Sequence, residues 1–258
     1  MSNRSTDPSD GAVIAVRIAS FLAILVLWWL AALRVSDPQT LPAPAHVAGA
    51  IWRELIQGEL LPHLMATLGR VIAAFAVAMS IGLMLGLWMG RSRGANLWLD
   101  NLLIIMLNLP ALVTIVLCYL WLGLTEVAAV TAVALNKIPM VTVMMREGAR
   151  ALDPRLDDMT RIFTPPRRVA LRHVVLPQLA PHLASAGRAG LAVIWKIVLV
   201  VEFLGRPNGV GFQIHLGFQL FDVTMVLVYA LSFVVIMLAV EALILRPWER
   251  HANRWRQP

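Results

Sequence analysis

Six apolar runs, each about 20 residues or slightly longer, limit what this chain can fold into more than any other feature. They cover residues 13–33, 64–90, 97–122, 127–145, 179–204 and 223–245. A run of this length can cross the hydrocarbon core of a bilayer as an α-helix, which satisfies its backbone hydrogen bonds internally. Only 14% of the residues are charged, whereas soluble domains carry about 25%. The sequence therefore predicts an all-α integral membrane protein with six transmembrane helices.

The arginines outside these runs, or near their ends, predict the orientation of the chain. Fifteen of them lie before or near the start of the first run, in alternate loops and after the last run, and only four lie in or beside the other loops. Because cytoplasmic loops collect Lys and Arg, both termini are predicted to be cytoplasmic. The predicted parts are a cytoplasmic tail (1–12), a membrane domain (13–245) with a long cytoplasmic loop (146–178), and a second tail (246–258). The first run, followed by Arg34, is too long for a signal-peptide core and is expected to remain as an anchor.

Three common catalytic and metal-binding patterns are absent from the sequence. It contains no Gly-Lys dipeptide, and hence no Walker A phosphate loop, and no H-E-x-x-H or C-x-x-C pattern. Cys118 is the only cysteine, and the six histidines lack metal-ligand spacing. We therefore expect no catalytic residue and no metal site, and an integral membrane enzyme is disfavoured. The net charge of +7 requires no nucleic acid, since cytoplasmic loops of membrane proteins are basic.

Two features within the runs predict how the helices bend and pack. The sequence Asn108-Leu109-Pro110 interrupts the third run and Pro139 the fourth, and a proline ring clashes with the preceding helical turn. Both helices are expected to kink toward the bundle interior, because irregular backbone at membrane depth needs protein or water around it. Gly82, Gly86 and Gly90 form a stripe that lets two helices approach closely. The stripe fits either an ordinary helix interface or a functional hinge.

The loop 146–178 is predicted to contain a short amphipathic helix. Asp153-Pro154 is a typical helix start, with Asp as N-cap and Pro in the first turn. The following Leu156, Met159 or Thr160, and Phe163 share one apolar face at helical spacing, and Pro165-Pro166 ends the helix. Such a helix can rest on lipid headgroups or dock on another protein.

The same loop resembles the ATPase-docking loop of ABC importer permeases. In that family an E-A-A triplet is followed by a Gly, four residues after its last member, and then by I-x-L-P. Here Asp158-Met159-Thr160 stands at the triplet, Thr164 at the glycine, and Leu176-Pro177 preserves the end of the motif. We expect docking to be retained, with Pro165 ending the helix in place of the glycine. Whether the departures at Asp158, Thr160 and Thr164 weaken docking is open.

The resemblance covers nearly the whole chain and points to permeases of the nitrate, sulfonate and taurine type. Its other elements are Leu41-Pro42-Ala43-Pro44, then Thr67 and Arg70, and finally Gly209-Val210-Gly211 with Ile214. It implies a permease subunit of the bacterial inner membrane, paired with a second permease copy and served by an extracytoplasmic substrate-binding protein. A separate cytoplasmic ATPase would hold the ATP and Mg, leaving no cofactor on this chain. The residues implied in coupling to that ATPase are Leu156, Asp158, Met159, Thr160, Phe163, Thr164, Pro165, Leu176 and Pro177.

Polar residues inside the predicted spans are candidates for the substrate pathway. They are Asn108, Lys137, Lys196 and Glu202, and Arg188 is a further intramembrane charge. Cationic side chains suit an anionic substrate, in agreement with the oxyanions of this branch, which also carries neutral and cationic substrates. Structural roles are the alternative, with Lys196 extending past Glu202 and Lys137 satisfying carbonyls freed by Pro139. The alternative function is a non-transporting six-span scaffold that binds a cytoplasmic partner.

Overall fold

The computed structural model describes the backbone of residues 10–253. Within that range it describes all side chains except those at positions 10, 12–14, 17, 154, 157, 158, 160, 161, 167 and 250–253. The described part is helical throughout and contains no strand. Its helices are α1 (Asp10–Val35), α2 (Pro44–Ile56), α3 (Leu60–Arg91), α4 (Arg93–Asn108), α5 (Ala111–Leu122), α6 (Glu126–Arg150), α7 (Pro154–Phe163), α8 (Arg167–Ala170), α9 (Leu176–Gly205), α10 (Val210–Gln219), α11 (Val223–Val240) and α12 (Arg246–Asn253). The all-α prediction is confirmed.

The membrane spans are only partly visible in the lengths and compositions of these helices. Within the described residues, four helices are long and apolar enough to cross a membrane: α1, α3, α6 and α11 with its continuation. The pair α4 and α5 makes a fifth if the two count as one bent span. The 30-residue α9 carries Arg188, Lys196 and Glu202, and such charges are unfavourable in lipid. A count of six spans therefore stays a prediction.

The glycine stripe of α3 forms the centre of the bundle by packing against α6. A Cβ atom added at Gly82 would lie 2.6 Å from the Cβ of Val141, and one at Gly90 would lie 2.6 Å from the Cβ of Ala149. At Gly86 it would lie 2.6 Å from the Thr142 carbonyl oxygen. These distances are far shorter than van der Waals contact, so the glycines are needed for the close approach of the two helices. Of the two roles considered for the stripe, the structure shows the helix interface.

The two prolines affect their helices differently. The third predicted span is divided at Asn108-Leu109-Pro110, where α4 and α5 meet at a bend of 99°. Pro139, in contrast, is buried inside the continuous helix α6, which it does not divide. The break at 108–110 is exposed on the single chain, so our expectation that it faces the interior of this bundle is wrong.

A π-helical turn precedes α9 and another follows α11. The turns cover Leu171–Val175 and Glu241–Leu245, and each ends two residues before a proline, Pro177 and Pro247 respectively. Because proline has no N–H group and its ring crowds the preceding turn, a widened turn before it relieves the clash. Helical structure therefore runs without a break from Arg167 to Gly205. This long helix connects two ends of the molecule, the α7 end and the α10 end.

Candidate functional site

At the α7 end, local sequence signals set the limits of the docking-type helix. The Oδ1 atom of Asp153 accepts a hydrogen bond from the Arg155 N–H at 2.9 Å, and Pro154 stands in the first turn. The predicted start is confirmed. At the other end Thr164 has φ 39° and ψ 48°, a left-handed conformation that side chains with a Cβ adopt at a cost. Thr164 thus takes the backbone shape that a glycine would supply, and Pro165 follows it.

The apolar face of α7 points away from the rest of the chain. Leu156 is half-buried, Met159 is exposed, and Ile162 and Phe163 expose 77% and 75% of their surfaces. Sequence reasoning missed Ile162, which the helical spacing from Met159 could have revealed. The side chains of Asp158 and Thr160, also predicted to take part, lie outside the described residues. An exposed apolar patch on a basic loop is typical of a protein-binding surface.

Gln178 connects α7 to the start of α9. Its Oε1 accepts a hydrogen bond from the Asp153 N–H at 3.0 Å, and its Nε2 donates to the Val174 carbonyl at 2.9 Å. The motif residues Leu176 and Pro177 form the first turn of α9, directly next to Gln178. The two halves of the predicted motif are therefore brought together through this short hydrogen-bonded contact.

The intramembrane polar residues lie in different surroundings. Lys137 is 2% exposed, and within the described part of the chain its Nζ contacts the Met140 sulfur and has no carboxylate partner. Lys196 is exposed, with its Nζ 5.5 Å from the centre of the Trp195 ring. Asn108 is exposed and donates from Nδ2 to the Ile104 carbonyl at 2.8 Å. Of these candidates, Lys137 alone is a buried cation without a counter-charge among the described residues.

Arg188, in contrast, is matched by carboxylates. Its Nη1 donates to the Oε2 of Glu249 at 2.6 Å and its Nη2 to the Oε1 of Glu241 at 3.1 Å. These contacts join α9 to α12 and to the π-helical turn after α11. Arg188 is therefore a structural contact between helices, and it lies on the α7 half of α9.

Glu202 lies at the α10 end, in a cluster that sequence analysis did not foresee. Its side chain has no exposed surface. Its Oε1 accepts from Arg70 Nη1 at 2.6 Å, and its Oε2 accepts from the Thr67 hydroxyl at 2.9 Å and from the Gly211 N–H at 2.8 Å. The resemblance had singled out Thr67, Arg70 and Gly211 separately, and the fold brings them into contact with Glu202. We call this group, completed by His63, Glu126 and Asn208, the α10-end polar cluster.

Arg70 is fully hydrogen-bonded within this cluster. Its Nε and Nη2 donate to the two carboxylate oxygens of Glu126, at 2.8 and 2.7 Å. The remaining hydrogens go to Glu202, to the Asn208 carbonyl at 2.9 Å, and to the Asn208 side-chain oxygen. A guanidinium group has five N–H hydrogens, and all of them are used. The buried charge of Arg70 is thus balanced within the chain.

Ser92 illustrates a pattern with an ordinary structural role. It stands in a Gly-x-Ser-x-Gly sequence at 90–94, which in some hydrolases surrounds a nucleophile. Here Ser92 is the N-cap of α4, and its Oγ accepts a hydrogen bond from the Ala95 N–H at 3.2 Å. The described residues also contain no group of His, Cys, Asp and Glu side chains arranged to hold a metal ion.

Comparison with known proteins gives a consistent result. Residues 78–246 match the family model described as binding-protein-dependent transport system inner membrane component. The chain is 27% identical over 236 residues to a Bacillus subtilis protein named as an aliphatic sulfonates transport permease protein, SsuC, covering 91% of this chain and 85% of that protein. It is 24% identical to the taurine transport system permease protein TauC of Escherichia coli, covering 94% and 90% of the two chains.

Solved structures share the fold. A chain of the MetNI methionine ABC transporter in an inward-facing conformation superposes with a TM-score of 0.64 and 18% identity, covering 78% of this chain and 99% of that one. At that level of identity the likeness concerns the fold alone.

Proposed function

The chain belongs to the family of binding-protein-dependent transport system inner membrane components, and from that membership we propose that it carries a small organic or inorganic oxyanion, such as a sulfonate. As a member of this family it is a multi-pass inner-membrane permease subunit of an ABC importer, and it is not itself an enzyme. An ATPase subunit and a substrate-binding protein are its partners. The scaffold alternative is thereby set aside.

The observation that carries the proposed substrate class is the environment of Lys137. A buried ammonium group without a counter-charge is unfavourable, and inside a membrane such groups are functional candidates. Lys137 lies in α6 where Gly190 of α9 approaches it, since a Cβ added at Gly190 would be 3.7 Å from the Lys137 Cε. An oxyanion that reached this point would supply the missing negative charge. The names of the sulfonate and taurine permeases among the relatives support the same class.

We further propose that two copies form the pathway, with six spans each and both termini in the cytoplasm. The charge asymmetry of the loops supports this orientation. The exposed break at 108–110 supports the second copy, because irregular backbone at membrane depth needs protein or water beside it. Asn108 would then lie next to the partner copy or the pathway. The ATP and Mg belong to the ATPase, so this chain needs no cofactor of its own.

In the same proposal, α7 docks into a cleft of the ATPase. Its exposed Met159, Ile162 and Phe163 form the contact surface, and burial of each large apolar side chain contributes about 1.5–3 kcal/mol. The hydrogen bonds of Gln178 pass movement from α7 to α9. Closure of the ATPase dimer then switches access between the two sides through rigid-body motion of the helices.

Replacement of Lys137 by Met tests the substrate proposal, since Met keeps most of the stem and removes the charge. Uptake of radiolabelled ethanesulfonate is measured in vesicles that contain the permease, its ATPase and its binding protein. Lys137→Met should reduce uptake at least about tenfold, the effect of losing one charge-assisted hydrogen bond. Lys196→Met is the matched control, because that lysine is exposed, and it should change uptake less. Equal uptake by the wild type and Lys137→Met would contradict the proposed role of Lys137.

A further inference from the structure

The first three amides of α10 are held by side chains from two other helices. The Gly209 N–H donates to His63 Nδ1 at 2.9 Å, the Val210 N–H to the Thr67 hydroxyl at 2.8 Å, and the Gly211 N–H to Glu202 at 2.8 Å. The first amides of a helix have no acceptor within their own helix. Here each acceptor comes from α3 or α9.

Glycines at 209 and 211 make this close approach possible. Gly209 has φ 110°, and a Cβ added there would lie 2.6 Å from the Glu202 Oε2. A Cβ added at Gly211 would lie 2.7 Å from the Glu202 Cβ. Any larger residue would push α10 away from Glu202. The Gly-Val-Gly sequence before Ile214 is therefore explained by the need to bring backbone amides within hydrogen-bonding distance of a carboxylate.

We propose that Glu202, assisted by Thr67, is a positioning residue that fixes α10 to the ends of α3 and α9, and that it does not contact the substrate. Both of its carboxylate oxygens are already bonded within the chain, and its side chain has no exposed surface. Its negative charge balances Arg70 and also lies at the N-terminus of α10, where negative charge is favourable. Both carboxylate oxygens of Glu202 are therefore occupied in holding α10.

The consequence for transport rests on the proposed function. Because α10 is bonded to α3 and α9, these three helices move as one body on that side of the protein. A cavity of about 670 Å³ borders α10, lined by Glu54 of α2, Leu216 of α10 and Met225 of α11 among others. This cavity gives the joined helices space to move relative to α2 and α11 during transport.

Hydrogen exchange at residues 209–211 tests the positioning role directly. The full-length permease is placed in lipid nanodiscs, and deuterium uptake by peptides that cover these amides is followed by mass spectrometry. Glu202→Gln cannot serve both Arg70 and Gly211, because one carboxylate oxygen becomes an NH₂ donor. Exchange at 209–211 should become at least about tenfold faster, as expected when a hydrogen bond to a charged group is lost. Thr67→Val should act in the same direction by removing the acceptor for Val210, whereas Thr67→Ser keeps that acceptor and should restore slow exchange.

Glu126→Gln is the matched control, because it also removes a carboxylate that binds Arg70. Glu126 is 53% exposed and bonds none of the three amides, so exchange at 209–211 should stay within about twofold of the wild type. Slow exchange at 209–211 in both Glu202→Gln and Thr67→Val would overturn the proposal, as would faster exchange spread equally over α6. The measurement needs no substrate, so it is independent of the transport proposal. In the ethanesulfonate assay, a positioning role predicts a lower maximal rate with KM unchanged, and a changed KM at constant maximal rate would identify Glu202 as a substrate contact.

Discussion

The two ends of α9 use their side chains in opposite ways. At the α10 end, the charged groups of Arg70 and Glu202 are buried, and their hydrogen-bonding atoms are satisfied within the chain. At the α7 end, Ile162 and Phe163 are apolar and exposed, and Thr164 holds a strained backbone conformation. The charged groups of the first end are bonded within one chain, whereas the second end leaves apolar side chains available to another surface.

This difference separates two kinds of residue that are difficult to distinguish from sequence alone. A buried polar cluster whose members are all bonded fixes local geometry, and its loss harms the chain that contains it. Exposed apolar residues contribute little to the stability of their own chain and much to a complex. We therefore expect substitutions at the α10 end to change the stability of the permease, and substitutions at the α7 end to change its affinity for the ATPase.

The largest effect is expected when Arg70 is replaced by Met. The substitution leaves Glu202 buried without its cationic partner, and breaking a buried ion pair costs about 3–5 kcal/mol. The thermal unfolding midpoint of the purified permease in nanodiscs should fall clearly. Arg188→Met is the control, because Arg188 also binds two carboxylates but its side chain is 42% exposed. If both variants lower the midpoint equally, burial at the α10 end is not what makes Arg70 important.

The next effect is expected at the α7 end, from Phe163→Ala. Loss of one large buried contact weakens binding of the ATPase subunit about ten- to hundredfold, since each such side chain contributes about 1.5–3 kcal/mol. The thermal midpoint of the isolated permease should stay nearly constant, because Phe163 is exposed there. Titration of the nanodisc-bound permease with the purified ATPase measures the affinity.

Phe221→Ala gives a matched control for Phe163. Phe221 is an exposed phenylalanine, at 85%, that precedes α11 near the α10 end. Its replacement should leave ATPase affinity unchanged. A loss of affinity in Phe221→Ala, or normal affinity in Phe163→Ala, would remove the distinction between the two ends.

Local signals allowed the α7 end to be predicted from sequence. The N-cap Asp153, Pro154 in the first turn and the apolar spacing all act within one or two helical turns, so the predicted helix at about 154–164 agrees with Pro154–Phe163. The stop was only partly anticipated. Pro165 was expected to end the helix, but Thr164 itself adopts the left-handed conformation that the family glycine would take.

The α10 end could not be predicted in the same way, because its contacts join residues far apart in sequence. Arg70 and Glu202 are 132 positions apart, and His63 and Gly209 are 146 apart. Position within an apolar run marked Glu202 as a pathway candidate, yet the fold surrounds it with donors. The break at 108–110 was found from Pro110, but its 99° angle and its exposure depend on how α4 and α5 pack. Sequence pattern identifies such residues, and tertiary contacts decide their roles.

The smallest effect is expected from Thr164→Gly, which restores the residue type typical of this position. The left-handed conformation costs a residue with a Cβ about 1–2 kcal/mol, while glycine loses about 0.4–1 kcal/mol through the greater freedom of the unfolded chain. The relief is at least as large as the loss, so α7 should become more stable by up to about 1.5 kcal/mol, and ATPase affinity should rise by no more than about tenfold. Thr164→Ala keeps the Cβ, and with it the strain, and should bind no more tightly than the wild type. If Thr164→Gly binds the ATPase more weakly than Thr164→Ala, the strained turn contributes to docking, and the α7 end is adapted to the altered motif rather than weakened by it.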